Sequence, residues 1–189
     1  MNSLVLLGLW FILCQDISFA IRRAVCVVQP DPGSQQKVTG TVTFTQLNPR
    51  SPITIAIKLQ GFKEFDPSTA PSQLLHGFHV HEFGDLTAGC TSAGGHYNPC
   101  GVNHGAKEDN VRHNGDLGNI QQEPNGTIPE LVLTDRFVTL YGDWSVLGRA
   151  IVVHEKADDL GRGGDQASLT NGNAGSRLGC CVIGLAKTN

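Results

Sequence analysis

The chain has 189 residues, enough for one domain with a sizeable core, and carries 14 Lys and Arg against 17 Asp and Glu. That near-neutral balance excludes a nucleic-acid binder held by charge. With 16% charged residues, 23 glycines and no long amphipathic helical period, the composition suggests many turns joining short strands.

The first segment differs from the rest. Residues 4–13 (LVLLGLWFIL) form an apolar run, shorter than the roughly 20 residues that span a bilayer. Ser18 and Ala20 then supply the small-x-small ending of a secretory signal peptide, although residues 1–3 carry no Lys or Arg. We expect cleavage after Ala20, leaving residues 21–189 as one secreted domain. Asp16 leaves with the signal, so fourteen basic residues face sixteen acidic ones. Five cysteines remain, Cys26, Cys90, Cys100, Cys180 and Cys181, an odd count that leaves at least one thiol over. No later apolar stretch is long enough to cross a membrane.

Short β-branched runs follow, bounded by Pro, Gly and Asn. Strands are predicted over residues 24–28, 38–45, 53–59 and 77–82, with residues 62–73 as a surface loop. Further strands are predicted over 117–120, 128–133, 138–140, 146–154 and 181–186. Two long polar, glycine-rich stretches interrupt them, at 83–114 and 155–179, and loops of that length in a compact domain are usually functional. Between strands, Asn125-Gly126-Thr127 is a glycosylation sequon in a polar turn.

Six of the seven histidines lie in or beside the first loop. His79 and His81 alternate on one strand and share a face, while Phe78 and Val80 take the other. His96, His104, His113 and Asp116 follow, a complete nitrogen and oxygen set for zinc. His154 ends a later strand, free to join His79 and His81. His76 reads as a histidine packed between strands.

Five motifs in order, HGFHVHEFG (76–84), AGCTSAG (88–94), GDLGN (115–119), VVHEKADDLG (152–161) and GNAGSRL (172–178), closely resemble the copper/zinc superoxide dismutase family over residues 24–186. The resemblance implies an all-β, eight-stranded antiparallel Greek-key barrel or sandwich, immunoglobulin-like in architecture, with two long functional loops. It implies copper on His79, His81, His96 and His154, and zinc on His96, His104, His113 and Asp116, with His96 shared. It implies superoxide as substrate, His96 as proton carrier, Arg177 as the group that docks the anion, and Asp158 as the carboxylate that orients His79 and His104. A Cys90–Cys180 disulfide and a homodimer are also implied. The competing readings are a non-enzymatic secreted copper carrier and a zinc hydrolase.

Two regions depart from the family. Residues 163–172 carry Asp165, Gln166, Thr170 and Asn171 where many relatives have paired glutamates, a lysine and a threonine. The activity is therefore expected to depend on ionic strength less steeply. Cys100 and Cys181 are additions, and a second disulfide between them is the leading expectation. Cys26–Cys181, an intersubunit bond and free thiols are its rivals, with Cys26 read as a small buried hydrophobe.

Overall fold

A computed structural model describes residues 21–187. The signal peptide expected over residues 1–20 lies outside the described residues. Ten strands form: β1 Arg22–Pro30, β2 Thr39–Gln46, β3 Ile53–Gln60, β4 Leu75–His81, β5 Thr87–Cys90, β6 Asp116–Gln121, β7 Thr127–Asp135, β8 Ala150–His154, β9 Arg177–Val182 and β10 Gly184–Leu185. A single helical turn, α1 (Ser168–Asn171), sits in the second long loop. No helix among the described residues is long and apolar enough to cross a membrane.

The strands pair in the order β6-β4-β8-β9-β1-β2-β3-β7, with β10 added to β1 and every pairing antiparallel. The end strands β6 and β7 lie near one another, so the sheet nearly closes into an eight-stranded barrel. This is the expected all-β class. Period-two alternation builds the wall: Ile53, Ile55, Ile57 and Leu59 of β3 are buried while Thr54, Lys58 and Gln60 face water. Phe44, Phe78, Leu117, Ile120, Ile151 and Ile183 fill the interior. Truncating a side chain such as Phe78 to Ala there costs about 3–5 kcal/mol.

One strand breaks the alternation. Six of the seven residues of β4 are buried, on both faces. Phe78 and Val80 enter the barrel core, whereas His79 and His81 face outward beneath the long loops. A strand covered on both sides can hold polar groups away from water, which positions the site.

Three predicted elements differ. Residues 138–140 form no strand; Val138 and Leu140 are buried as plugs from a loop tied by a bridge between Thr139 and Ser145. The strand predicted from 146 begins only at Ala150, because Val146–Arg149 is a turn with Gly148 at φ 79°. The last long strand begins at Arg177 rather than 181, through pairing with β8 and β1.

The cysteines also correct the sequence reading. Cys26 bonds Cys181 (Cα–Cα 5.4 Å) and Cys90 bonds Cys180 (Cα–Cα 5.6 Å), while Cys100 is free and exposed. The expected Cys100–Cys181 bond does not form. Adjacent residues of β9 point to opposite faces, so Cys181 enters the barrel core beside Cys26 and Cys180 turns to the loop cluster with Cys90. An exposed thiol on the first loop cannot reach into that core.

Candidate metal centre

Backbone pairing brings the histidines together before any side chain is considered. β4 carries His79 and His81, and β8 pairs with it in a register that sets His79 opposite Val152 and His81 opposite Ala150, with His154 at the strand's end. Asp116 opens β6 directly opposite His79. The first long loop is laced onto β4: Tyr97 donates to the Val80 carbonyl (2.8 Å), Gly115 to Tyr97 (2.9 Å) and Val80 to Gly115 (2.9 Å). A Cβ at position 115 would collide with the Val80 carbonyl oxygen, so glycine alone permits this approach. The lacing sets His96 beside His81.

Two groups of four result, each with its candidate ligand atoms within 4.8 Å of one another. His79, His81, His96 and His154 form one; His96, His104, His113 and Asp116 form the other. All seven residues are buried. His96 belongs to both.

Hydrogen bonds select which ring nitrogen each histidine presents. His79 Nε2 and His104 Nε2 each lie 2.8 Å from an Asp158 oxygen, so both donate there and their Nδ1 atoms are left bare. His113 Nε2 donates to the Val102 carbonyl (3.0 Å), again leaving Nδ1. His81 and His154 reverse the pattern: Nδ1 donates to the Gly94 (2.9 Å) and Gly175 (3.3 Å) carbonyls and Nε2 is bare. Those two bare Nε2 atoms face each other at 3.2 Å. Neither has a proton to share, so both lone pairs are free to bind one cation.

Four further imidazole nitrogens are buried without a hydrogen bond: His79 Nδ1, His96 Nε2, His104 Nδ1 and His113 Nδ1. Buried unpaired polar atoms are rare and costly. Here they converge. His96 Nδ1, His104 Nδ1 and His113 Nδ1 lie 2.8, 3.0 and 3.2 Å from the Asp116 carboxylate, a tetrad of the type that binds zinc. The other four nitrogens make an all-imidazole set, which suits copper.

The electrostatics divide along the same line. Burial, then the neighbouring rings His96 and His154, holds the pKa of His79 and His81 well below 6.5. Burial, then His96, lowers His154 to about 3. His96 is also lowered, by burial against the opposing pull of Asp116. For His104, burial is again the largest influence, but the carboxylates of Asp116 and Asp158 against its two ring nitrogens outweigh it and raise the pKa to about 9. Asp116 stays ionised: burial pushes it up, and the close rings of His104, His113 and His96 pull it far below the usual carboxylate range.

A cleft of about 480 Å³ opens onto His81, His96 and His154, with Lys156, Asn171 and Arg177 on its walls and no carboxylate among its lining residues. Arg177 donates to the Cys90 carbonyl and to the Gly94 carbonyl (2.6 Å for the latter), the same carbonyl that orients His81. His76 is buried with both ring nitrogens hydrogen-bonded, to the His154 carbonyl (2.9 Å) and Gln122 (2.8 Å), and offers no ligand atom.

Sequence reasoning named Asp158, on the family resemblance, and missed the other parts that orient these rings. Asn119 grips the Asp158 backbone from both sides, at 2.7 and 2.8 Å. Arg112, buried, reaches the Asp116 carbonyl (2.7 Å) and Asp135 (2.5 Å) and so fixes the second group from behind. The carbonyls of Gly94, Val102 and Gly175 carry no sequence signal at all. The GDLGN motif contained Asn119, and its place beside Asp116 was the one available hint.

A family model for copper/zinc superoxide dismutase matches residues 38–183. The chain belongs to this family. Superoxide dismutase [Cu-Zn] 5 of Dictyostelium discoideum is 48% identical over 165 residues, covering 87% of this chain and 98% of that protein. The matched segment contains both histidine groups, Asp158 and Arg177. Copper and zinc are the family's metals, and the donor sets fit them.

Proposed function

We infer that the chain converts superoxide into dioxygen and hydrogen peroxide, and that its seven buried ligand residues divide between copper and zinc. Copper would be held by His79 Nδ1, His81 Nε2, His96 Nε2 and His154 Nε2; zinc by His96 Nδ1, His104 Nδ1, His113 Nδ1 and Asp116. The single observation that carries this reading is that His96 belongs to both groups, with Nδ1 turned to Asp116 and Nε2 bare.

When bound, copper supplies a one-electron change in oxidation state, and zinc a fixed charge with no redox chemistry of its own. The residues do the rest. His96, committed on its Nδ1 side, holds and releases a proton at Nε2 beside the cleft. Arg177 attracts a small anion and keeps it near His81 and His154, in a cleft with no lining carboxylate to repel it. Asp158 keeps His79 and His104 in one tautomer each. Two superoxide anions and two protons thus leave as one dioxygen and one hydrogen peroxide. A copper carrier would need an incomplete or open donor set, and neither group is one. A zinc hydrolase would need an open zinc position, which Asp116 closes.

The chain is proposed to act outside the cell as a glycosylated homodimer. Two disulfides fit an oxidising compartment, and the segment over residues 1–20 reads as a signal peptide. Asn125 is exposed, in a turn where its side chain accepts from the Thr127 hydroxyl (2.8 Å). Val182 and Leu185 are 40% and 70% exposed on β9 and β10, and Gly84, next to the half-exposed Phe83, packs beside Val182. This apolar surface supports a second copy there.

The test is metal analysis of the secreted protein together with a superoxide-removal assay. Copper and zinc in equal amounts, with removal abolished when copper alone is withdrawn, is the expected result. Fully loaded protein without activity would return the carrier reading.

A further inference from the structure

A groove of about 740 Å³ lies between the turn at Pro49–Pro52, the first long loop and the segment from Arg136 to Trp144. None of its lining residues belongs to either histidine group, and its volume suits a small-molecule ligand. Val111 and Trp144 line it and are 63% and 54% exposed, so apolar surface is presented to a ligand. Two features ask for polar partners. Asn114 lines the groove, is only 6% exposed, and makes no side-chain hydrogen bond among the described residues. Arg112, 2% exposed and also lining it, has an unpaired Nε. Buried amides and guanidinium nitrogens are ordinarily satisfied, so a ligand acceptor fits here.

The charge of the groove selects the ligand further. Arg50 and Arg136 line it as exposed cations beside Arg112, against a single acid, Asp143. Cys100, the free exposed thiol, lines it too. In a chain whose other four mature cysteines are paired, this is the one thiol left to react among the described residues.

We propose that this groove binds a small carboxylate-bearing disulfide and retains half of it as a mixed disulfide on Cys100. The Cys100 thiolate attacks one ligand sulfur; the ligand S–S bond breaks as the new S–S bond forms. The departing half leaves as a thiolate and takes up the proton that Cys100 gave up, so the ligand's own disulfide is the oxidant. Arg50 and Arg136 recognise the carboxylates, Asn114 an amide or carbonyl of the ligand. This site stands apart from the superoxide chemistry.

The test incubates the metal-loaded protein with oxidised glutathione, which carries carboxylates, or with cystamine, a cationic disulfide without them, and follows intact mass. One glutathione adduct is expected, mapping to Cys100 and forming about tenfold or more faster than the cystamine adduct. Cys100→Ser abolishes the adduct and leaves superoxide removal unchanged. Arg50→Gln with Arg136→Gln removes the preference for the carboxylate-bearing disulfide, and both substitutions are on the surface. Cystamine reacting as fast as glutathione overturns the proposal, as does capture of Cys100 by a disulfide between two copies of the chain.

Discussion

The two halves of the metal centre use the same side chain in opposite electrostatic settings. Around His79, His81 and His154 the imidazoles have each other, backbone carbonyls and, for His79 alone, one oxygen of Asp158, and burial keeps them neutral. Around Asp116 a buried carboxylate gathers three rings, and His104 becomes basic enough to hold a proton to about pH 9 before any metal arrives. The neutral half offers ready lone pairs and little charge. The charged half offers an anion that a divalent ion can replace protons to reach. A single carboxylate therefore separates a site suited to a redox ion from one suited to a fixed cation.

The largest expected effect breaks that carboxylate. Asp116→Asn should lower zinc affinity by more than the roughly 10–100-fold that an outer partner of a metal ligand is worth, while the all-imidazole group keeps its copper. Chelator competition for each metal measures it; equal loss of both metals would show that the halves are not separable.

Next comes the loop anchor. Cys90→Ala with Cys180→Ala should cost roughly 2–4 kcal/mol of stability, read by chemical unfolding. It should also loosen the segment whose carbonyls hold Arg177 and His81, so copper-side function falls before zinc content does. Removing Cys26–Cys181 should cost stability on the same scale and leave both metals in place, since that bond lies in the barrel core.

Asp158→Asn tests the one group that serves both halves. Its amide cannot accept from both His79 and His104 as the carboxylate does, so both metal affinities should drop, by about tenfold. A change on one side only would mean that the carboxylate orients one ring.

The metal-free protein should show the asymmetry in its pH dependence. Imidazoles with folded pKa values below 6.5 stay neutral while the unfolded chain takes up protons, so their contribution is present above pH 6.5 and is lost as pH falls toward 3. His104 behaves oppositely: its contribution is present below pH 6.5 and is lost as pH rises through about 9. Thermal midpoints of chelator-stripped protein should fall on both sides, more steeply in acid, where several rings act together. A purely alkaline loss would contradict the burial of the four-imidazole group.

The smallest effect concerns the cleft. With Thr170 and Asn171 on the cleft wall in place of the lysine and threonine expected from the family resemblance, guidance falls to Lys156 and Arg177. Turnover should decline with salt less steeply than in a lysine-bearing relative assayed alongside.

Much of the centre was legible in the chain. His79-x-His81 needed only strand alternation, and His113 and Asp116, three apart, meet across a turn in which the His113 amide donates to Asp116 at 2.8 Å. The strands with clean alternation, β2 and β3, appeared close to where they were expected. Residues 138–140 misled because a short apolar run plugs a core equally well from a loop.

The cysteines mark the boundary most clearly. Five thiols beyond Ala20 could be counted from the residues, and the opposite facing of Cys180 and Cys181 followed from their adjacency. The partners lie 90 and 155 residues away along the chain, so Cys90 was offered to Cys180 only by the family resemblance, and Cys26 stood only as a rival partner for Cys181. By itself the sequence determined the ligand types, the local pairs and the alternating walls, all of which depend only on residue identity and on neighbours close along the chain. Tertiary structure alone decided the Cys26–Cys181 bond, the ring nitrogen each histidine presents and the carbonyls that select it. Those depend on register between distant strands, and register is an outcome of packing the whole barrel at once.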